Sequence, residues 1–314
     1  MSDLVILDPA VPLGAVGPYL QHPTAVVLHG AEVTIPGRVP GLRWAMVRTL
    51  RACSLVIAAG GYPLAEAERC ARRSLPAVVI PPGVDTERFK PLAPDRRAEV
   101  RSRFGFGPED LMIASVNRLV PRKGMSRLIR AVSVVHNRSR SRVASPAGQG
   151  SATIGAVIAG TGREEGRLHR IASRARAPVQ FLGRIPDSDV ADLYGAADLM
   201  VMPCNSRWWG LEQEGFGIAF LEAAAAGIPQ IAGRSGGAHE AVAAGRTGLV
   251  LDDPDDVEQL ARAIEYFVDD PEQRRRMGRA ARERVEREFS YDHLARRLAE
   301  AIETCNLRPS GSKP

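Results

Sequence analysis

The chain has 314 residues, enough for two domains with sizeable cores, and its 45% hydrophobic and 25% charged content is that of a folded globular protein, which argues against a disordered or fibrous chain. It holds no apolar run of about eighteen residues, so no transmembrane helix is expected, and the opening Met-Ser-Asp-Leu-Val-Ile-Leu lacks the basic-then-apolar layout of a signal peptide. The formal net charge of +6 suits phosphate substrates or anionic lipid, or reflects an arginine-rich composition; no aromatic-stacking or recognition-helix pattern points to nucleic acid.

In chain order, short runs of Val, Ile, Leu and Ala predict strands at 4–7, 25–28, 55–58 and 77–80. His29-Gly30-Ala31-Glu32 directly follows the second run, at a strand's carboxyl end. His29 there can donate to or polarise a substrate oxygen near neutral pH, although a single histidine after a strand is as readily structural. The stretch from Arg43 to Arg51 reads as a basic amphipathic helix, either core-facing or touching anionic lipid. Pro81-Pro82-Gly83-Val84-Asp85 breaks both strand and helix and marks a linker.

Beyond it, strands are predicted at 112–116, 156–159, 179–182, 199–202, 229–232 and 248–251, with helices at 126–136, 166–174, 189–196, 256–268 and 271–288. Continuously apolar strands alternating with helices describe an α/β architecture of βαβ units around parallel sheets. Residues 138–152 lack apolar periodicity and read as a mobile surface insertion; 307–314 read as a disordered tail. Arginines in 271–288 alternate with glutamates, the pattern of a solvated face. Cys53, Cys70, Cys204 and Cys305 have neither C-x-x-C spacing nor nearby histidines and fit reduced thiols of a cytoplasmic protein.

Several strand ends carry candidate chemistry. Arg118 and Lys123 lie between the strand at 112–116 and the following helix, where open α/β sheets bind ligands, and both can reach a diphosphate; a solvated basic turn is the plainer alternative. The loop with Gly160 and Gly162 permits close backbone approach but lacks the full dinucleotide spacing, and Ser235 and Gly236 follow another strand. Asp187 and Asp189, like the acidic run 252–256, read as helix N-caps, so no metal is expected. The most informative stretch runs from Glu214 through Gly215, Phe216 and Gly217 to Glu222. A helix starting near Gly217 offers free N–H groups to an anion, with Glu214 at its mouth and Glu222 about one and a half turns in.

Taken together, these segments resemble the family 4 retaining glycosyltransferases of the GT-B type, over nearly the whole chain from His29 to Tyr291. Glu214 and Glu222 match the E-x7-E signature, Arg118 and Lys123 match the cationic pair, and the Pro81–Phe89 stretch is similar to the interdomain hinge. Arg118 to Gly124 and the Pro203-Cys204 segment look most like the phosphatidylinositol mannosyltransferase branch. The resemblance implies two Rossmann-like domains facing a cleft. The first (1–82) would be an acceptor-side domain that is incomplete, lacking the first strand and its glycine-rich loop. The second (83–289) would bind the nucleotide-sugar donor, with 290–306 crossing back to the first.

It further implies transfer of a hexose, mannose from GDP-mannose, to a lipid or polyol acceptor such as a phosphatidylinositol mannoside, with no cofactor and no metal. Arg118 and Lys123 would bind the diphosphate and stabilise the leaving nucleotide, while Gly215, Phe216 and Gly217 would give backbone contacts. Glu214 would face the hexose, Glu222 the ribose, His29 the hexose from the other domain, and Gly183, Arg184 and Ile185 the nucleobase. The place of action would be cytoplasmic, peripheral at the membrane face. The competing reading is a catalytically inactive nucleotide-sugar-binding fragment of such an enzyme.

Overall fold

The computed structural model describes residues 4–143 and 153–305. These form two compact units. The first comprises the residues up to Gly83, Ser206–Phe216 and the residues from Tyr291 onward; the second comprises Val84–Asn205 and Gly217–Ser290. The first boundary falls within the Pro81–Asp85 segment. Residues 206–216 group with the first unit, unlike the continuous 83–289 span expected. Side chains explain this: Arg38 Nη1 donates to the carbonyl of Trp209 (2.7 Å) and Gln213 Nε2 to the Tyr62 hydroxyl (2.8 Å).

In the first unit, β1 (Val5–Leu7), β2 (Thr24–Leu28), α1 (Ala31–Thr34), α2 (Pro40–Ala52), β3 (Leu55–Ala58), α3 (Gly61–Ala71) and β4 (Ala77–Val79) follow one another. The strands form a parallel sheet in the order β1-β2-β3-β4, with Val26 opposite Val56 and Ile57 opposite Val78. The two-residue period of a strand sorts its side chains between the faces. Val26, Leu28, Val56 and Ala58 pack with Met46 and Leu50 of α2 and Cys70 of α3. Ala25, Leu55 and Ile57 point the other way.

The second unit runs α4 (Pro94–Arg103), β5 (Leu111–Val116), α5 (Met125–Val143), β6 (Ile154–Ala159), α6 (Glu165–Ala175), β7 (Val179–Gly183), α7 (Asp187–Ala196), β8 (Leu199–Met202), α8 (Ile218–Ala225), β9 (Gln230–Gly233), α9 (Ala238–Ala241), β10 (Gly248–Leu251), α10 (Val257–Asp269) and α11 (Pro271–Glu288). Its parallel sheet has the order β10-β9-β8-β5-β6-β7. This is the doubly wound arrangement: the chain leaves β5 toward β7, then returns to the other side of β5 at β8. The order reverses between β5 and β8, so the loops leaving those strands open a crevice there. In the first unit the described strands run in order without such a reversal. A last helix, α12 (Tyr291–Thr304), rejoins the first unit, where Leu298 and Ile302 cover Ala25, Leu55 and Ile57 and Arg297 Nη2 donates to Val79 O at 2.9 Å.

Every strand expected from the sequence is present, with ends moved by a residue or two. Other expectations change. Residues 138–143 continue α5, and Arg138 pairs with Glu258 (2.9 Å) and Glu265 (3.3 Å) of α10; the rest of 138–152, like 307–314, lies outside the described residues. Asp256 caps α10 as expected, accepting from the N–H groups of Glu258 and Gln259, but Asp187 does not cap α7. Pro186 holds the cap position, leaving Asp187 and Asp189 in the first turn, where their charges favour the helix dipole.

The largest revision concerns α11. Its Met277, Ala281 and Val285 are buried, and several arginines are internal struts, not solvated charges. Arg282 Nη1 donates to the carbonyls of Thr86 (3.2 Å), Phe89 (2.8 Å) and Ala225 (2.5 Å), and Arg284 donates to those of Glu240 and Ala241 (both 2.9 Å). The four cysteines are free thiols, and burial pushes the Cys53 thiol up to about 12, so it stays protonated and inert near neutral pH. Among the described residues, no helix is long and apolar enough to cross a membrane.

Arg101 of α4 shows the same use of arginine at its fullest. It is 1% exposed and donates to the carbonyls of Gly107, Asp110 and Ala196 and to Asp198 Oδ2 at 2.8 Å. Arg101→Met orphans several buried acceptors at once, and a loss of about 3–5 kcal/mol is expected. Denaturant titration checks this; a midpoint unchanged from the parent would show that the network does not hold the unit together.

Candidate active site

The second unit presents its candidate residues along the carboxyl edge of its sheet. After β5, residues 117–124 form a loop with a 3₁₀ turn at Pro121–Lys123. Backbone contact fixes this loop on both sides. Gly160, which leaves β6 at φ +125°, has no room for a side chain: a Cβ there would sit 1.9 Å from the Asn117 carbonyl oxygen. Gly124, at φ +74°, would bring a Cβ 2.1 Å from the carbonyl oxygen of Pro203, just past β8. Hydrogen bonds complete the lacing, Leu119 N to Thr161 O (2.9 Å) and Asn205 N to Arg122 O (2.9 Å). The close backbone approach expected of Gly160 and Gly162 is made by the chain's own β5 loop, at Asn117 and Leu119. On this fixed loop Arg118 is exposed while Lys123 is only 7% exposed.

Helix α8 begins beside the same switch point. Its N-cap is Gly217, at φ +92°, which supplies no side-chain acceptor, and no acid lies in the first turn. The first N–H groups of α8 are thus left for an anion. Glu222 lies farther along α8, half-buried. Burial raises its carboxyl above the usual carboxylate range, and Asp187 adds to the rise while Arg88 opposes it. Arg88 also donates to the backbone carbonyl of Asp187. The hydroxyl of Tyr194 is buried and pushed well above its ordinary value, first by burial and then by Glu222. Gly183 ends β7, the edge strand on the same side, and Arg184 and Ile185 follow it; Gly183 sits at φ +63° with open space around it, and its carbonyl accepts from Gly160 N at 2.7 Å. Ser235 is 1% exposed, and a Cβ on Gly233 would lie 2.1 Å from Cys204 O, so the loop after β9 packs against the one after β8.

The first unit brings His29 to the other half of the E-x7-E stretch. A Cβ on Gly215 would lie 3.0 Å from His29 O, and one on Gly30 would lie 3.6 Å from Gly215 Cα. Glu214 and Phe216 are buried at 8% and 5% exposure. The exposed imidazole of His29 is oriented by Asp8, whose Oδ1 is 2.8 Å from Nε2. Glu32 closes the turn by accepting from the N–H groups of His29 and Gly30. Tyr62 links the parts, bonded to Thr34 Oγ1 (3.0 Å) and to Gln213 Nε2 (2.8 Å).

The candidates thus divide. His29, Glu214, Gly215 and Phe216 belong to the first unit; Arg118, Lys123, Gly183, Arg184, Ile185, Gly217 and Glu222 belong to the second. Asp8, Tyr62, Arg88 and Tyr194 were not singled out from the sequence. Only Asp8 had a readable signal, since it stands at the end of β1 as His29 stands at the end of β2. Among the described residues, no group of three or more His, Cys, Asp or Glu is gathered in the way a metal ion needs.

The family model for glycosyl transferases group 1 matches residues 96–284. A GDP-mannose-dependent monoacylated alpha-(1-6)-phosphatidylinositol monomannoside mannosyltransferase of Corynebacterium glutamicum is 40% identical over 226 residues, which are 72% of this chain and 55% of that protein. A GDP-mannose-dependent alpha-(1-6)-phosphatidylinositol monomannoside mannosyltransferase of Mycolicibacterium smegmatis is 35% identical over 299 residues, 93% of this chain and 74% of its own length. The chain therefore spans little more than half of the first relative and about three quarters of the second. Among solved structures, Anabaena Alr3699/HepE in complex with UDP and glucose superposes with a TM-score of 0.77 at 23% identity, covering 96% of this chain and 78% of that one. Sucrose-phosphate synthase from Thermosynechococcus elongatus gives 0.76 at 23% identity, with 96% and 73% covered. At this identity the likeness speaks for the fold alone, two Rossmann-like units of the GT-B class.

The raised Glu222 carboxyl has a stability consequence. Its folded pKa lies above the unfolded value, so the native state holds the extra proton between the two, and stability falls as pH rises through that window. Glu222→Gln removes this loss. The variant is expected to be more stable than the parent above the folded pKa, with an advantage that shrinks toward acid; melting temperatures measured from acid to neutral pH check it, and a constant offset would refute the assignment.

Proposed function

The chain belongs to the group 1 glycosyltransferases, and from that premise we propose that it is a retaining hexosyltransferase, moving mannose from GDP-mannose to a lipid or polyol acceptor of the phosphatidylinositol mannoside class. One observation carries the proposal most directly. At the switch point between β5 and β8, glycine contacts hold the Arg118–Lys123 loop, and α8 begins there with an uncapped first turn. The names of the relatives, which specify GDP-mannose and phosphatidylinositol mannosides, support the donor and acceptor classes.

Breaking the bond between hexose and nucleotide leaves negative charge on the β-phosphate. Arg118 and Lys123 are assigned to that charge, helped by the first N–H groups of α8 and by the backbone at Gly215, Phe216 and Gly217. These groups supply the compensating charge from the chain itself, so a metal-independent reaction without a cofactor is proposed. Glu222 is assigned to the ribose hydroxyls and Gly183, Arg184 and Ile185 to the base. Glu214 and His29 act on the transferred hexose, with His29 oriented through Asp8. Transfer with retention proceeds by same-face attack, in which the leaving phosphate takes the acceptor proton, so Glu214 need not be a covalent nucleophile.

An anionic lipid surface on the cytoplasmic side is the proposed place of action. In the first unit Tyr19 and Trp44 are 71% and 66% exposed, with the Arg48 guanidinium 4.8 and 5.6 Å from their ring centres. No acidic residue occurs from Val33 to Ala65, while Arg38, Arg43, Arg48 and Arg51 do. Aromatic rings interleaved with arginines favour the headgroup region of an anionic bilayer.

Isothermal titration with GDP, GDP-mannose and UDP-sugars tests the donor reading; no binding of any nucleotide would sink it, and binding without transfer would make the chain a binding module. Glu214→Ala and Lys123→Ala are each expected to lower transfer by about 10²–10³-fold with the circular dichroism spectrum unchanged. Full activity in both variants contradicts the roles assigned to Glu214 and Lys123. Co-sedimentation with phosphatidylinositol-containing vesicles should weaken at high salt and in the Tyr19→Ala, Trp44→Ala double variant; equal sedimentation in all cases would reject the lipid surface.

A further inference from the structure

The opposite edge of the second unit's sheet, at the amino-terminal ends of its strands, holds an open cavity of about 570 Å³. Small-molecule sites commonly occupy roughly 300–1,000 Å³. None of the residues assigned to the donor lines this one. Its walls join the start of β5, the entry to β8, the turn between α8 and β9, and the first turns of α11. Leu92, Ile228 and Val268 give it apolar surface, and Arg97, Arg274 and Arg275 give it cations.

The charges around the cavity are unevenly matched. Asp198 is fully engaged: its oxygens take Arg97 Nη2 at 2.6 Å, Arg101 Nη1 at 2.8 Å and the N–H of Met112 at 2.9 Å. Asp110 accepts from the N–H groups of Gly107 (2.6 Å) and Thr153 (2.7 Å) and so serves its own loop. Glu109 stands exposed at the rim. Arg274 is half-buried and donates Nη1 to the carbonyl of Phe267 at 2.6 Å. Burial pulls its guanidinium below the ordinary arginine range, and Arg275, Arg97 and Arg101 pull the same way; the charge that opposes them is Asp198, already shared by two other arginines. With Arg97 and Arg101 already paired to Asp198, Arg274 and Arg275 are, among the described residues, the lining cations with no carboxylate ion pair, and their charge favours an anionic ligand.

We propose that this cavity binds a phosphate monoester carried on a small sugar or polyol, with Arg274 and Arg275 as its principal phosphate contacts. Both guanidinium groups line the cavity, and each fork can donate two hydrogen bonds to a tetrahedral dianion. The space exceeds what inorganic phosphate fills, and the apolar wall suits the carbon face of a sugar ring.

Calorimetric titration of the full chain, with inorganic phosphate in one arm and glucose 6-phosphate in the other, tests the site. Saturable binding is expected in both arms, tighter for the sugar phosphate. Arg274→Gln and Arg275→Gln should each weaken it by about tenfold or more, the loss of a charge-assisted hydrogen bond. Arg275 is exposed, so its variant tests the site even where Arg274→Gln compromises folding. Lys123→Ala should leave the affinity unchanged. The proposal is overturned by the absence of saturable binding in both arms, by binding indifferent to Arg275→Gln, by loss of binding in Lys123→Ala, or by equal affinity for the two probes.

Discussion

Backbone packed directly on backbone at the carboxyl edge of the second sheet sets the geometry on which the candidate donor residues depend. Gly160 lies against Asn117, Gly124 against Pro203 and Gly233 against Cys204, each with no space for a Cβ. The loops leaving β5, β6, β8 and β9 are thereby fixed to one another in sequence across the switch point. Loops are ordinarily the variable part of an α/β unit. In this unit the long side chains of Arg118 and Lys123 spring from a backbone with little freedom to shift, which reduces the ordering cost of any ligand contact they make. Gly217 takes the left-handed conformation that opens α8, with no side-chain cap on its first turn.

Arginine plays two parts in this molecule, and they are structurally separate. Arg101, Arg282 and Arg284 reach carbonyls at helix ends and turns that lack intrahelical partners, acting as multi-pronged internal donors. Arg48 and Arg118 are exposed at the surface, the first beside the rings of Tyr19 and Trp44 in the first unit. The net charge of +6 is thus a poor guide to the field that a ligand meets, because some of the arginines, Arg101 above all, hold their charge inside the second unit and not at its surface.

The α/β class and all ten strands were legible because strands covered on both faces must be apolar at consecutive positions; Leu55–Ala58 and Leu199–Met202 are buried at every residue. The N-cap at Asp256 was legible because capping is local chemistry. Asp187 misled for a related reason: the letters fit a cap, but the preceding proline took the position. Helix α11 misled because alternation of Arg and Glu describes charge along the chain and says nothing of which carbonyls lie within a guanidinium's reach. Arg88 and Tyr194 carried no sequence signal, for each meets Glu222 only through folding of distant segments.

The sequence by itself determined the strand content, the helix start at Gly217, the spacing of Glu214 and Glu222, and the family those letters resemble, since each depends on residues close together along the chain. Only the tertiary structure decided that Glu214 groups with His29 in the first unit while Glu222 sits with Arg88 and Tyr194 in the second. It alone decided that Asp8 holds the imidazole, and that arginines remote in sequence gather at the far edge of the sheet. The physical reason is common to all of these: contacts between segments many residues apart are selected by packing and by the pairing of buried polar groups, and neither quantity exists until the strands are side by side.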